Sequence, residues 1–305
     1  MLFTETHGSR EAFAKDPAVV RLGDTYFLYY SAMQVLDGKE KLVIGVSRSA
    51  DLERYEFVGF FPLTQPCEAN GVGAPAAYLE GGKVHLFYQT YGNQRLDAIC
   101  HAVSDNGFDF CKDETNPIFR PTADWCCGRA IDADVVAFRG RLFLYFATRD
   151  EAMKVQMVGV ASARLGSAYA AGDWRQEIAA PAVAPEYPWE GDCIEAPATL
   201  VHNDKVYLFY GGNYNCHPQQ VGYAVSADGV HFSKPSAEPF LRPGAPGSWN
   251  ASESGHPYVF EDGDGIHLFY QGSPDGGKRW YLSRTRLTFD GDLPRFGALY
   301  TGEAE

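Results

Sequence analysis

Five short aromatic runs recur along this chain at nearly constant spacing. Each run is rich in Tyr, Phe, Leu and Val, which is typical of a buried strand. Their first residues lie 58, 58, 64 and 60 positions apart and are Tyr26, Val84, Leu142, Val206 and Ile266. A fixed period of this size predicts a repeat architecture, in which each unit buries its apolar face against its neighbours.

The order of elements within each repeat is constant. A short apolar run leads through a polar turn, such as Gly23-Asp24 or Asn203-Asp204, into the aromatic run. This pattern predicts an antiparallel hairpin, and two further short strands follow it. Four such strands per repeat are typical of a propeller blade. The sequence therefore predicts an all-β chain that forms a single five-bladed β-propeller with four antiparallel strands per blade.

The five predicted blades account for residues 1–305 as one domain. Their approximate bounds are residues 16–66, 67–124, 125–188, 189–248 and 249–305. A pair of β-sandwiches would also contain short strands and turns. Sandwiches do not explain a register that is kept through five copies, so the propeller is the favoured interpretation.

The composition narrows the classes of partner. The chain has 26 Lys and Arg against 39 Asp and Glu, a net charge of −13, which argues against nucleic acid and anionic membranes. No apolar stretch approaches the roughly 20 residues of a membrane span. Residues 1–13 lack the apolar core of a signal peptide, which predicts a cytoplasmic location. The seven cysteines show no CxxC spacing, so we expect reduced thiols and no zinc site.

One position of the repeat carries polar residues in several blades. Ten residues before the aromatic runs stand Asp16, Ala74, Asp132, Ala196 and His256, and Glu195 directly precedes Ala196. In a blade, the start of the first strand lines the central channel, on the same face as the end of the second strand. We therefore expect Asp16, Asp132, Glu195 and His256 to meet where the channel reaches that face.

The loops after the second strands should surround this cluster. The residues expected there as ligand contacts are Gln89, Tyr91, Arg149, Asn213 and Gln271. Three tryptophans also share a position, 17 residues before their runs: Trp125, Trp189 and Trp249. A tryptophan at such a place either stacks on a sugar or packs between blades. Trp125 and Trp249 are the better candidates for contact with a ligand.

Several carboxylates around one pocket are what cleavage of a glycosidic bond requires. One gives a proton to the leaving oxygen, and another activates water or attacks the anomeric carbon. Like charges in such a pocket push the two pKa values apart, so one group stays protonated near neutral pH. His256 is expected to complete the polar network, contact substrate or lie beside a divalent cation such as Ca²⁺. Taken singly, each of these residues also has a structural interpretation, and their shared register favours function.

Four short motifs resemble those of the five-bladed propeller glycoside hydrolases of family 43 and its relatives in families 32, 68 and 117. They are Lys15-Asp16-Pro17, Ala130-Ile131-Asp132-Ala133-Asp134, Ile194-Glu195-Ala196-Pro197 and Gly255-His256-Pro257. The resemblance spans all five blades. It implies that Asp16 is the general base, Asp132 a modulator of pKa, and Glu195 the general acid. It further implies that His256 borders a divalent ion, which it would contact through water, with no organic cofactor.

We therefore predict an exo-acting, inverting glycoside hydrolase that releases a terminal sugar from plant or algal oligosaccharides. One alternative is a retaining, fructosidase-type hydrolase on the same fold, although the WMNDPNG-type opening of invertases is absent. A second alternative is a carbohydrate-binding propeller without turnover. A phosphorylase would need a basic cluster, and Arg129, Arg149 and Arg279 are scattered along the sequence.

Overall fold

The computed structural model describes residues 2–301, and its strands form five separate antiparallel sheets. The first strand of each sheet contacts the first strands of the two neighbouring sheets, and these contacts run in a closed ring. This arrangement is the five-bladed β-propeller that the repeat predicts. No helix within residues 2–301 has the length and apolar character that crossing a membrane requires.

Each blade is a meander whose first strand lies innermost. The strands of blade one are Lys15–Leu22, Thr25–Leu36, Lys39–Ser49 and Glu56–Phe60. Those of blade two are Val72–Glu80, Lys83–Thr90, Ile99–Ser104 and Cys111–Lys112. Those of blade three are Ile131–Phe138, Arg141–Arg149, Gln156–Arg164 and Arg175–Gln176.

Blades four and five have less regular outer edges. Blade four has the strands Ile194–His202, Lys205–Gly212 and Gln220–Ser226, and its fourth position is represented by an isolated bridge between Val225 and Ser233. Blade five has the strands Glu253–Asp262, Gly265–Ser273 and Tyr281–Asp290. Short 3₁₀ turns lie between strands at Pro66–Glu68, Gln94–Leu96, Ala171–Asp173 and Pro188–Glu190.

The N-terminus closes the ring by completing blade five. The strand Leu2–Phe3 pairs with Tyr281–Asp290, with Leu2 opposite Ser283. The strand Leu293–Phe296 pairs with the other end of Tyr281–Asp290. The predicted bounds of blade five, 249–305, did not include this N-terminal strand, because a two-residue strand carries no periodicity that a sequence can show.

The aromatic runs form the second strands and fill the space between blades. Tyr29, Tyr88 and Tyr145 are fully buried. Rings from adjacent blades meet edge to face, as Phe61 does with Tyr88 at a centroid separation of 5.0 Å. Burial of each such ring contributes roughly 1.5–3 kcal/mol, so the repeat that defines the sequence also supplies the core.

Every innermost strand carries a β-bulge at the same place. In blade one the pairing register shifts between Lys15 and Ala18, and the other four blades shift at the equivalent point. The first bulged residues have φ between 41° and 52° and are Asp16, Ala74, Asp132, Ala196 and His256. Non-glycine residues are strained in this region by about 1–3 kcal/mol, and such strain persists where the surroundings hold it. The bulge thus re-aims one side chain per blade at the channel.

Candidate active site

The bulged residues are held in place by side chains of the preceding blade. The backbone N–H of Asp16 donates to Gln271 Oε1 at 3.0 Å, and that of Asp132 donates to Gln89 Oε1 at 2.6 Å. Gln271 has no exposed surface, so the prediction that it contacts a ligand is wrong. Gln89 is 4% exposed and serves the same anchoring role.

A third anchor, Gln219, was missed by the sequence analysis. The residue of blade four that is equivalent to Gln89 and Gln271 is Gly211, which has no side chain. Gln219 reaches into that space, and its Oε1 accepts the N–H of His256 at 3.0 Å. A Cβ at position 211 would lie 2.9 Å from Gln219 Cδ, so the glycine makes room for the glutamine. A glycine at a position where two other blades have glutamine was the sequence signal that another side chain must supply this anchor.

His256 lies between two carboxylates at the channel. Its Nδ1 is 3.2 Å from Asp16 Oδ1, and its Nε2 is 3.7 Å from Asp132 Oδ2. All three side chains keep a small opening to solvent, with exposures of 6–8%. The structure therefore brings together the three axial residues that the sequence placed at one position of the repeat.

The two carboxylates beside His256 have opposite electrostatic settings. Burial alone would raise the pKa of Asp16, but the charges of His256 and Lys15 and a hydrogen bond from Ser31 lower it overall. For Asp132, burial raises the pKa to about 7, and the charges of Glu195 and Asp16 add to that rise. The neighbouring carboxylates raise the pKa of His256 although burial opposes this. Near neutral pH, Asp16 is therefore ionised and faces an imidazolium.

Glu195 stands beside this axis and is 7% exposed. Each of its carboxylate oxygens accepts a hydrogen bond from a glutamine amide: Oε1 from Gln219 Nε2 at 2.6 Å, and Oε2 from Gln156 Nε2. Gln156 Oε1 in turn accepts from Arg149 Nε at 2.9 Å. These contacts hold the carboxyl group in one orientation, and its charge influences Asp132.

Two further ionisable residues near Asp16, Lys15 and Glu253, influence each other electrostatically and were also missed. Glu253 is fully buried and accepts hydrogen bonds from Gln271 Nε2 and from the N–H of Cys216, both at 2.6 Å. Burial raises the pKa of Glu253 to about 7, against the lowering effect of Lys15. Burial would lower the pKa of Lys15, but the charges of Asp16 and Glu253 raise it. The sequence analysis named Lys15 only as the neighbour of Asp16 in a motif, and Glu253 does not lie at the repeated position.

An apolar wall stands over Lys15 on the same face. The ammonium of Lys15 lies 4.5 Å from the centroid of the Trp280 ring. Trp280 packs with Phe13 and Leu42, and Met33 lies against this cluster. Met33 and Leu42 belong to the second and third strands of blade one, which at 12 and 11 residues form the longest hairpin of the propeller.

The predicted rim residues have different surroundings. Arg149 is half-buried, and its guanidinium lies 5.4 Å from the centroid of the Tyr214 ring. Asn213 is half-buried and shapes its own loop, because its Oδ1 accepts the N–H of Tyr214 at 2.9 Å and its Nδ2 donates to His217 O at 3.1 Å. Tyr91 is 45% exposed in the equivalent loop of blade two.

The tryptophans divide between the two interpretations. Trp249 has no exposed surface, its Nε1 donates to Tyr300 O at 3.0 Å, and its ring lies against Tyr270. This position contradicts the predicted ligand contact and assigns Trp249 to packing within the core. Trp125 is half-buried and stays a candidate for ligand contact.

The channel has cavities at two levels. A small one of about 20 Å³ lies at the bulges and is lined by Asp16, Asp132 and His256, among others. A larger one of about 660 Å³ opens at the opposite mouth, where the innermost strands end, and Asp134 is on its wall. Asp134 accepts hydrogen bonds from the N–H and hydroxyl of Thr199. The larger cavity is lined mainly by apolar residues and by the turns that follow the innermost strands. The two acids that face His256, Asp16 and Asp132, lie at the smaller cavity.

The donor set around His256 does not form an inner-sphere metal site. Within residues 2–301 no three His, Cys, Asp or Glu side chains are grouped in a way that could hold a metal ion. Both ring nitrogens of His256 already face carboxylate oxygens. A cation at this place would therefore have to be held through water.

A closed ring of five blades with buried acids at one end of its channel is the architecture of propeller glycosidases. A profile of the family described as Glycosyl hydrolases family 43 matches residues 10–289. The chain belongs to this family, and it is therefore a glycoside hydrolase that acts on O-glycosyl bonds.

Solved structures agree with this assignment at the level of fold. A thermostable family-43 glycoside hydrolase is 19% identical, with a TM-score of 0.76 over 98% of this chain and 96% of that one. An alpha-L-arabinofuranosidase from Lactobacillus brevis is 17% identical, with a TM-score of 0.73 and 96% coverage of both chains. An exo-1,5-alpha-L-arabinanase from a bovine ruminal metagenomic library is 16% identical, with a TM-score of 0.69 over 97% of this chain and 100% of that one. No curated protein sequence matches the chain significantly.

Proposed function

We propose that this glycoside hydrolase is exo-acting and inverting, and that it releases a terminal sugar from plant or algal oligosaccharides. The observation that carries the proposal is the division of the acids into two settings. Asp16 is held ionised at the axis beside His256, whereas Glu195 is oriented by two glutamine amides at the side.

Asp16 is the general base in this proposal. A base must be ionised at the working pH, and the charges of His256 and Lys15 lower the pKa of Asp16 despite its burial. The carboxylate would take a proton from water as that water attacks the anomeric carbon. The bulge fixes the direction of the side chain, because the Asp16 N–H is bound by Gln271.

Glu195 is the general acid, and Asp132 tunes it. Burial raises the pKa of Asp132 to about 7, and the charge of Glu195 adds to that rise, so Asp132 can hold a proton beside Glu195 near neutral pH. In this proposal the leaving oxygen of the substrate accepts its proton from Glu195. Arg149 supports the role indirectly, because it holds the Gln156 amide that contacts Glu195.

The shape of the opening supports attack on a chain end. The three axial side chains and Glu195 are each less than a tenth exposed, so they do not lie along an open surface groove. The long hairpin of blade one and the apolar wall that includes Trp280 close one side. Such a wall would obstruct binding of an internal segment of a polysaccharide, because that chain must extend beyond the site in both directions.

A substrate screen followed by stereochemistry tests this proposal. Aryl α-L-arabinofuranosides and β-D-xylosides are the first probes, because arabinofuranosidase, arabinanase and xylanase structures share the fold. We expect release of one monosaccharide per cleavage, and proton NMR should show that the first product anomer is inverted. A retained anomer would favour the fructosidase-type mechanism, and internal cleavage of oligosaccharides would contradict exo action.

We also propose that Ca²⁺ is held through water near His256. Prolonged dialysis against a chelator should then lower the activity, and added Ca²⁺ should restore it. Full activity after dialysis, with no calcium detected in the protein by elemental analysis, would contradict this proposal.

A further inference from the structure

Blades two and four share an unusual turn in front of their first strands. In each blade the turn has the pattern Pro-X-Glu, at Pro66–Glu68 and Pro188–Glu190. Both glutamates are fully buried, and each accepts a hydrogen bond at 2.7 Å from the tyrosine at the fifth position of the aromatic run. Each glutamate also accepts from a lysine ammonium, at 2.6 Å in blade two and 2.7 Å in blade four. The two turns are therefore built in the same way.

The middle residue of the turn differs between the blades. In blade four it is Trp189, whose ring stacks parallel to Tyr210 at a centroid distance of 6.1 Å. Gly222 lies opposite Tyr210 in the sheet, and a Cβ there would be 2.8 Å from the Trp189 ring. The Tyr210 ring, at 2.6 Å from the same Cβ, and the indole stacked on it therefore both exclude a side chain at position 222.

Blade two replaces both members of this pair with cysteine. Cys67 occupies the place of Trp189, and Cys100 occupies the place of Gly222, because it lies opposite Tyr88 in the sheet. Their sulfur atoms are 4.0 Å apart. Cys67 is smaller than the indole it replaces, and Cys100 has a side chain where blade four has only a glycine. The two thiols therefore share the space that the indole fills in blade four.

We propose that Cys67 and Cys100 are an oxidation site, at which a low-molecular-weight disulfide such as oxidised glutathione closes an intrachain disulfide. The Cys67 thiolate attacks one sulfur of the oxidant, breaks its S–S bond and releases one glutathione thiolate. Cys100 then loses its proton and attacks the sulfur of Cys67 in the mixed disulfide, which releases the second glutathione. One S–S bond is exchanged for another, and the two protein thiols are oxidised while the oxidant is reduced.

The two sulfurs differ in the way that this order of steps requires. Cys67 is half-buried in a surface turn, whereas Cys100 is fully buried in the third strand of the blade. The hydrogen bond with Cys100 lowers the pKa of the Cys67 thiol, and the same contact together with burial raises the pKa of Cys100. The half-buried Cys67 is thus the attacking thiol, and the fully buried Cys100 resolves the intermediate.

The test is oxidation of the native protein by oxidised glutathione, with free thiols counted and tryptic peptides mapped. The structure has seven free cysteines, and we expect the count to fall to five with Cys67 and Cys100 in one linked peptide pair. The bond spans 33 residues of chain, so the midpoint of thermal unfolding should rise by roughly 5 °C and return after reduction.

Two variants make the result decisive. Cys100→Ser should stop at a stable glutathione adduct on Cys67. The double variant Cys67→Trp/Cys100→Gly installs the blade-four pair, and it should fold and show no thermal response to the oxidant. The proposal would be overturned if Cys67 and Cys100 stay unlinked in the treated wild-type protein. That result would be seen as seven remaining free thiols, as a lasting glutathione adduct, or as a disulfide between other cysteines. This outcome is independent of the glycosidase tests, because no reading depends on turnover.

Discussion

Replacing His256 with glutamine tests the electrostatics of the axis. The imidazolium is 3.2 Å from Asp16 and 3.7 Å from Asp132, and it lowers the pKa of both carboxyl groups. Glutamine keeps a polar side chain of similar reach but removes the charge. The remaining charged groups that influence the two acids are Lys15 for Asp16, and Glu195, Asp16 and Arg129 for Asp132.

The expected effect is a displacement of the whole pH profile. An opposite charge within about 4–6 Å changes the pKa of a carboxyl group by roughly 1–3 units, and Lys15 continues to lower that of Asp16. We therefore expect the acid limb of kcat/KM to move up by about 1–2 units, which corresponds to about 1.4–3 kcal/mol. The basic limb should also move up, because His256 lowers the pKa of Asp132 in the wild type and the variant removes that effect.

The assay is kcat/KM between pH 4 and 9 with the best aryl glycoside from the screen. His231→Gln is the matched control, since His231 is exposed and pairs with Asp228 at 2.9 Å, in a turn of blade four. That variant should keep the wild-type profile. If His256→Gln leaves both limbs in place, or lowers the activity equally at every pH, then His256 does not tune the carboxylates and our reasoning is refuted.

Three further predictions address single residues. Glu195→Ala should lower kcat roughly 10²–10⁴-fold for substrates with poor leaving groups and much less for aryl glycosides with activated ones; equal, small losses for both would remove Glu195 from the role of acid. Burial raises the pKa of Asp134 to about 7, so its contribution to stability is present below pH 4 and is lost as the pH rises through 7. Asp134→Asn should therefore gain up to about 4 kcal/mol over the wild type between pH 4 and 8, measured by thermal unfolding, and a constant difference would contradict this. Trp249→Ala should lower the free energy of unfolding by about 3–5 kcal/mol, whereas Trp125→Ala should mainly raise KM; the reverse pattern would exchange their roles.

The fold could be predicted because the repeat and the core are the same residues. An aromatic strand that recurs five times has only its neighbours to pack against, and the five innermost strands do form a ring. The meeting of Asp16, Asp132 and His256 followed from the same register, since equivalent positions around a pseudo-symmetry axis are close in space whatever their separation in sequence.

The supporting residues could not be predicted from the register, because they break it. Gln219 belongs to the third strand region and fills a gap left by Gly211. Glu253 contacts Gln271 on the neighbouring strand of blade five, and the charge of Lys15 acts on it from blade one. Such contacts join residues that occupy different positions of the repeat. The period of the sequence therefore does not indicate which of them meet.

The offset of Glu195 by one residue has a structural reason that bears on the mechanism. Glu195 still pairs with Gly211 in the regular part of the strand, whereas Ala196 is the bulged residue that lines the axial cavity. Adjacent residues of a strand project to different sides, so Glu195 approaches from the flank while Asp16 approaches from the axis. Inversion requires an acid and a base on opposite faces of the sugar, and a carboxylate at the bulge itself would stand on the side of the base. The double variant Glu195→Ala/Ala196→Glu keeps every carboxylate of the cluster, and on this reasoning it should remain as inactive as Glu195→Ala; recovered turnover would show that the count of acids, and not their direction, determines activity.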